Sequence, residues 1–180
     1  MKRPIATSLV LIAFCSLTVL FAAGCASTGN STLDQPLSAN LSQFKSAIVE
    51  TKSDLPSPTE QQAEFLEQLQ IRIIVKLRAA KAFEKIYSQA ETDSHSDLRI
   101  TVTITKIRDV DNFNRIMWGA MAGQARTEAI IAFTEQTTGK LIGSGKIEGK
   151  SSNGTVFSGT TSEAVDRVAD EVVKLVLQHL

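Results

Sequence analysis

The chain has 180 residues, and its 19 acidic and 19 basic side chains balance to a formal charge of zero. That balance excludes the basic surplus on which nucleic-acid binding depends. Two histidines and two cysteines leave little material for metal or nucleophilic chemistry.

The amino terminus opens with Lys2 and Arg3, and from Ile5 to Ala23 the chain is mostly apolar and uncharged. Such a run nearly suffices to cross a bilayer, which takes about 20 apolar residues. Its early cations and its small-residue ending, Ala22-Ala23-Gly24, fit a cleaved signal peptide better than a permanent helix. Cys25 follows at once, and the stretch resembles the bacterial lipobox, with Ala22 where leucine is usual. An uncleaved anchor, or an ordinary secretory signal beside a chance cysteine, are the competing readings. The resemblance implies removal of residues 1–24, lipidation of Cys25 and three acyl chains on the mature protein. One acyl chain holds a protein only marginally, at about 0.8 kcal/mol per buried methylene, whereas several hold it stably. Ala26 stands where an aspartate retains many such proteins at the inner membrane. The implied location is therefore the periplasmic face of the outer membrane, with the membrane itself a partner through the lipid.

Cleavage would discard Cys15, and lipid would consume Cys25, leaving no thiol for disulfides, metals or catalysis. Loss of Lys2 and Arg3 leaves 17 basic against 19 acidic residues, a charge of about −2. From Ala26 to Gln43 the composition turns to Ser, Thr, Asn, Gln, Gly and Pro, which reads as a flexible tether over residues 25–43. About 18 such residues span roughly 25 Å as a random coil. Residues 44–180 then suit a single periplasmic domain.

Within that body, Phe44 to Glu50 predicts a strand. Ser57-Pro58-Thr59-Glu60 reads as a helix start, with Ser57 as cap and Glu60 closing a capping box. Leu66, Leu69, Ile73, Leu77 and Ala80 then form one helical stripe. Phe83 to Tyr87 reads as a short strand, or as a continuation of that helix. From Leu98 to Thr105 apolar residues alternate strictly with Arg99, Thr101, Thr103 and Thr105, giving a strand with one greasy and one wet face. Strands over Arg126–Phe133 and Lys140–Gly149 join through Thr137-Thr138-Gly139, and Asn153-Gly154 signals a further hairpin. Thr160 and Glu163 frame a second capping box. The helix after it carries Val165, Val168, Ala169, Val172 and Val176 on its apolar stripe, with Asp166, Arg167, Asp170, Glu171 and Lys174 toward water. The order predicts an α+β fold, a mostly antiparallel sheet of about four to six strands with two helices packed on one face.

Chemistry is sparse along this body. Ser94-His95-Ser96-Asp97 has the letters of a catalytic triad, but neighbours in one loop cannot easily converge on a point, and a polar turn before a strand explains them. His179, near a helix end, offsets the dipole there. Asp109-Val110-Asp111-Asn112 lacks the glycine and distal glutamate of a calcium loop. No catalytic residue, metal or cofactor is expected. Trp118-Gly119-Ala120-Met121-Ala122-Gly123 lacks the lysine of a phosphate loop and lies in too short an apolar run for a membrane helix contact. A contact loop through Trp118, Gly119, Met121 and Gly123 remains, against ordinary core packing of Trp118.

The glycine-bearing loop, the stretch Thr134 to Leu141 and Ser158-Gly159-Thr160 opening the last helix together resemble the domain of unknown function 4410 family of Gram-negative lipoproteins, over about Arg115 to Leu180. The resemblance implies fold and location but no activity. The order of elements is also similar to lipoproteins that activate penicillin-binding proteins and to the amino-terminal domain of TolB, both protein-binding modules. The expectation is a non-enzymatic outer-membrane lipoprotein that engages another envelope protein and no nucleic acid. The alternatives are a binder of a small ligand or envelope polymer on the face of Arg99, Thr101, Thr103 and Thr105, and a hydrolase built on His95.

Overall fold

Six strands and two long helices make up the computed structural model, which describes residues 28–56, 59–89, 96–108, 125–152 and 160–180. The strands are β1 (Thr28–Gln35), β2 (Ser46–Ser53), β3 (Lys85–Ser88), β4 (Leu98–Arg108), β5 (Arg126–Glu135) and β6 (Leu141–Lys150). Helix α1 spans Glu60–Ala79 and α2 spans Thr161–Leu177. The sheet order is β1-β6-β5-β4-β2-β3. Three neighbouring pairs are antiparallel, while β2 runs parallel to both β3 and β4. The fold is therefore the expected α+β arrangement, with its parallel pairs imposed by the long return through α1.

Strict alternation makes β4 the central ruler. Leu98, Ile100, Val102 and Ile104 face the helices and are buried, and opposite them on β5 stand Ala129, Ile131 and Phe133. Leu69, Ile73, Ile74 and Leu77 of α1 and Val165, Val168, Val172 and Val176 of α2 close the other side of this core. Burying side chains of this size contributes about 1.5–3 kcal/mol each. The register of β4 against β5 slips between Ile104 and Lys106. Thr105 is the extra residue, and its hydroxyl donates to the Glu128 carbonyl at 3.2 Å. This bulge resets the alternation, so Lys106 stays outside while Ile107 packs against the core.

Two expectations about local structure are corrected. The segment Thr28–Gln35 is not a tether: it pairs along β6 from Thr28↔Lys150 to Gln35↔Ser144. Leu41, within the short 3-10 turn Leu41–Gln43, is fully buried. Small inward residues suit β1 because α2 lies directly over it. Ser31 Oγ donates to Glu171 at 2.8 Å, and a methyl on Gly29 would stand 2.5 Å from the Glu171 Cγ. The cap of α1 is Thr59 rather than Ser57, which lies outside the described residues. Gln62 accepts from the Thr59 amide at 3.0 Å, and the Thr59 hydroxyl accepts from the Gln62 amide at 3.3 Å. Both pairs have capping-box spacing, and the later one leaves Leu55 free to pack on the core.

At its other end α1 stops in a left-handed turn. Ala82 N–H bonds the Leu77 carbonyl at 3.1 Å and Lys81 N–H bonds Arg78 at 3.0 Å, the paired bonds of a Schellman ending. Lys81 takes φ 53° there, the position where glycine is normal, at a cost of roughly 1 kcal/mol. Ala80, expected on the apolar stripe, is instead the exposed C-cap. The turn after β5 needs Gly139, whose φ is +68°, as its sequence implied.

The cap of α2 is Thr160, whose hydroxyl accepts from the Glu163 amide at 3.2 Å, while the Glu163 carboxylate holds Ser152. Its charged residues do not simply face water. Asp166 and Asp170 meet Lys76 across the helix pair, Arg72 donates to Ser162, and Glu171 is buried against β1.

Candidate functional site

Among the described residues the helices cover one face of the sheet, and β4 presents Arg99, Thr101, Thr103 and Thr105 on the other, as its alternation requires. Their strand neighbours are Thr134, Ala132 and Ile130 of β5 for the first three. Glu50 of β2 is nearly buried on this face, 3.1 Å from Lys52 and 3.8 Å from Arg99, and it accepts from the Thr101 hydroxyl at 3.3 Å.

Toward β5 and β6 the face becomes a lattice of paired charges. Arg126 Nη2 donates to Glu148 at 2.8 Å, while its Nε stands 2.8 Å from the other carboxylate oxygen without hydrogen-bond alignment. Glu148 also meets Lys150 at 2.9 Å, and Glu128 meets Arg126 at 3.2 Å and Lys106 at 3.7 Å. A shallow depression of about 410 Å³ lies here, floored by Thr105, Glu128 and Glu148 and rimmed by Thr32, Ile130 and Lys146. Ile130 is half exposed. Such a surface offers amphipathic contact area and paired charges to an extended ligand.

A second polar cluster ties strand starts together. The Asp97 carboxylate accepts from the backbone of Lys45 and of Ser46, both at 3.0 Å, and from the Ser46 hydroxyl at 3.1 Å. Burial opposes its ionisation, but those hydrogen bonds outweigh that and hold the carboxyl below the ordinary range. Asp97 thus fastens β4 to β2; His95 lies outside the described residues. Between the helices, burial disfavours the Lys76 ammonium, yet Asp170 and Asp166 prevail and raise its pKa above the lysine norm. His179 Nδ1 lies 2.8 Å from the Leu175 carbonyl at the end of α2, consistent with its expected role at a helix terminus.

Cys25 with Ala22, Ala23 and Gly24, the segment Asp109–Asn112, and the loop residues Trp118, Gly119, Met121 and Gly123 all lie outside the described residues. The strands nevertheless fix where these segments attach. Thr28 pairs with Lys150, Lys150 with Arg126, and Arg126 with Arg108. The chain therefore enters from residue 27, and leaves for and returns from residues 109–124, at the same end of the sheet. Among the described residues no cluster of His, Cys, Asp and Glu is placed to hold a metal ion, and no helix is long and apolar enough to cross a membrane.

A second concavity lies at the opposite corner, where α1 meets β3. It measures about 450 Å³ and is lined by Arg78, Lys81, Glu84, Lys85, Ile86 and Tyr87. Sequence reading missed it because Lys81 and Lys85 converge only through the left-handed turn at Lys81.

Comparison with known families matches residues 33–155 to the model described as Domain of unknown function (DUF4410). The match begins inside β1 and covers the sheet, whereas the resemblance in sequence was placed over residues 115–180. No curated protein matches the chain at a significant level. Among solved structures, it is similar to a single-substitution variant of the PelC dodecamer from Paraburkholderia phytofirmans, at 14% identity and TM-score 0.51, covering 83% of this chain and 97% of that one. A second PelC dodecamer structure gives 11% identity and TM-score 0.51, over 83% and 95%. XCC0632 from Xanthomonas campestris matches at 10% identity and TM-score 0.43, over 74% and 81%. At these identities the PelC likeness concerns the fold alone.

Proposed function

We propose that this chain, which belongs to the DUF4410 family, is a non-enzymatic lipoprotein, anchored through Cys25 at the periplasmic face of the outer membrane, that docks another envelope protein. The observation that carries the reading is the pairing Thr28↔Lys150. Only Ala26 and Ser27 separate Cys25 from the sheet, three Cα steps and a reach of at most about 10 Å. An acylated Cys25 would hold that end of the domain against the bilayer, with Arg108 and Arg126 at the same end. The segment carrying Trp118 and Met121 springs from those two arginines, so a contact loop there would act beside the membrane. The fold can carry protein contacts, since PelC, which shares it, is a dodecamer.

Fatty-acid labelling of cells expressing the chain, compared with Cys25→Ser, tests the anchor. Label that persists in the variant sinks the lipoprotein reading. Photocrosslinkers at Trp118 and Met121 test the docking role, which is abandoned if they capture only lipid. A second reading, a binder of a small ligand or envelope polymer, draws on the depression beside Thr105, Arg126 and Ile130. It predicts a ligand-induced rise in melting temperature across a panel of glycans and peptides, lost in Arg126→Ala.

A further inference from the structure

The amino-terminal edge of the sheet is held differently from the rest of it. No residue from 28 to 40 is buried, whereas Leu41, the next along the chain, is fully buried and its N–H bonds the His179 carbonyl at 2.8 Å. Apolar burial holds an element most firmly, and this stretch offers the core only Leu33, Leu37 and Ala39, each partly buried. Its other ties are the backbone ladder to β6, the bond from Ser31 to Glu171, and the Asp34–Lys146 pair at 3.2 Å. That last pair is exposed on both sides and contributes little. The ladder runs on to Ser38, whose N–H bonds Ile142 at 2.9 Å, but a register shift interrupts it between Leu33 and Gln35.

The seat beneath this stretch is nevertheless shaped for it. A Cβ on Gly145 would lie 2.4 Å from the Thr32 carbonyl oxygen and 3.1 Å from the Leu33 Cα. On Gly143 it would lie 2.8 Å from the Leu37 Cδ2 and 3.1 Å from the Gln35 carbonyl oxygen. At both positions the nearest atoms belong to residues 32–37 and not to the helices. Two places in β6 that a side chain would fill are thus left open for this stretch alone. A specific seat under a segment with few apolar ties suits an element that docks and leaves as a unit.

We infer that residues 28–40 form a detachable strap, pinned at Leu41, that releases from β6 and redocks while the rest of the sheet stays folded. Release costs β6 one neighbour, but its ladder to β5 and the core between sheet and helices remain. The strap matters because of where it begins and ends. Docked, it attaches the domain at the Thr28 end of the sheet, within about 10 Å of Cys25. Released, the domain is attached at Leu41, past the other end of β1 and about 24 Å away along the strand. The leash is then sixteen Cα steps long, about 55 Å when fully extended. This change of reach rests on the lipoprotein reading, whereas the strap itself does not.

The test is amide hydrogen exchange on the full chain in detergent. Amides bonded between β1 and β6 should exchange about a hundredfold faster than those between β4 and β5, without following global unfolding as urea is added. Oxidised Thr32→Cys/Lys146→Cys joins cross-strand partners and should bring β1 to the protection of β5, and reduction of the same molecule should reverse it. Gly145→Ala should speed β1 exchange about tenfold further and leave β5 unchanged. The inference is overturned by β1 amides that exchange only with global unfolding, or by a Gly145→Ala chain that loses β1 and β5 protection together. Neutron reflectometry on a supported bilayer reads the reach, with a thicker protein layer expected for Gly145→Ala than for the oxidised form. Equal layers overturn the change of reach. A chain that shows the exchange pattern but does not hold to the bilayer would sink the lipoprotein reading and leave the strap standing.

Discussion

Gly149→Ala is the sharpest test of how this fold is packed. A Cβ at Gly149 would lie 2.1 Å from the Ala164 carbonyl oxygen and 2.9 Å from the Val168 amide nitrogen, both backbone atoms of α2. Ordinary C···O contact begins near 3.3 Å, so the helix must lift by about 1.2 Å or the strand must sink. Gaps of 0.5–1 Å forfeit a quarter to a half of dispersion attraction. Seven apolar residues of α2 are buried, Ala164, Val165, Val168, Ala169, Val172, Leu175 and Val176. At about 1.5 kcal/mol each they contribute roughly 10 kcal/mol, so losing a quarter to a half costs about 3–5 kcal/mol. With a urea m-value near 2 kcal/mol/M, the midpoint followed by far-ultraviolet circular dichroism should fall by about 1.5–2.5 M. Gly139→Ala is the control: nothing lies within 4 Å, and only its φ of +68° is strained, which predicts about 1 kcal/mol. A midpoint for Gly149→Ala within about 0.3 M of the parent, or equal losses in the two variants, would refute the packing argument.

Asp97→Ala should destabilise by about 1–2 kcal/mol through its lost hydrogen bonds. Because its folded pKa is depressed, that stability is present at neutral pH and is lost as pH falls below 4, so the parent and variant unfolding curves should converge in acid. Lys76→Met reads the interhelical pair at the other extreme. The raised pKa of Lys76 gives stability that persists below pH 10.5 and fades above it, and the pH dependence there should flatten in the variant. Lys81→Gly relieves the left-handed turn and should stabilise by about 1 kcal/mol, measured by urea titration, and a loss of stability would show the lysine to be unstrained. Glu171→Ala removes the acceptor of Ser31 and should expose β1 amides to faster hydrogen exchange than β4 amides, while uniform protection would contradict its role.

Much of the fold was legible. The alternation of β4, the turn at Gly139 and the apolar stripe of α2 each follow from one local rule, and each stands as read. The misses share a cause, which is that a tertiary neighbour decided them. β1 has the composition of a linker because α2 presses on it so closely that only Gly29 and Ser31 fit beneath Glu171. The bulge at Thr105 did leave a trace, since Ile104 and Ile107 break the parity of the strand, yet a strict two-residue period ends the strand there. Asp166 and Asp170 look solvent-facing until α1 supplies Lys76. The basic cleft was invisible for the same reason, because Arg78, Lys81 and Lys85 lie on three different elements of local structure.

The place of β1 also orders events in time. Residues 28–35 are synthesised well before their hydrogen-bonding partner β6, residues 141–150, which follows more than a hundred positions later. The sheet can close from β4 through β5 to β6 by successive hairpin-like pairings, but its amino-terminal edge must wait until β6 is available. Such a non-local closure slows folding, since its loop entropy precedes any reward. Until it happens, β6 offers an unpaired edge to any other strand nearby. The amino-terminal strand is therefore also the last piece of the sheet to lock, and folding of that edge depends on delivery of β6.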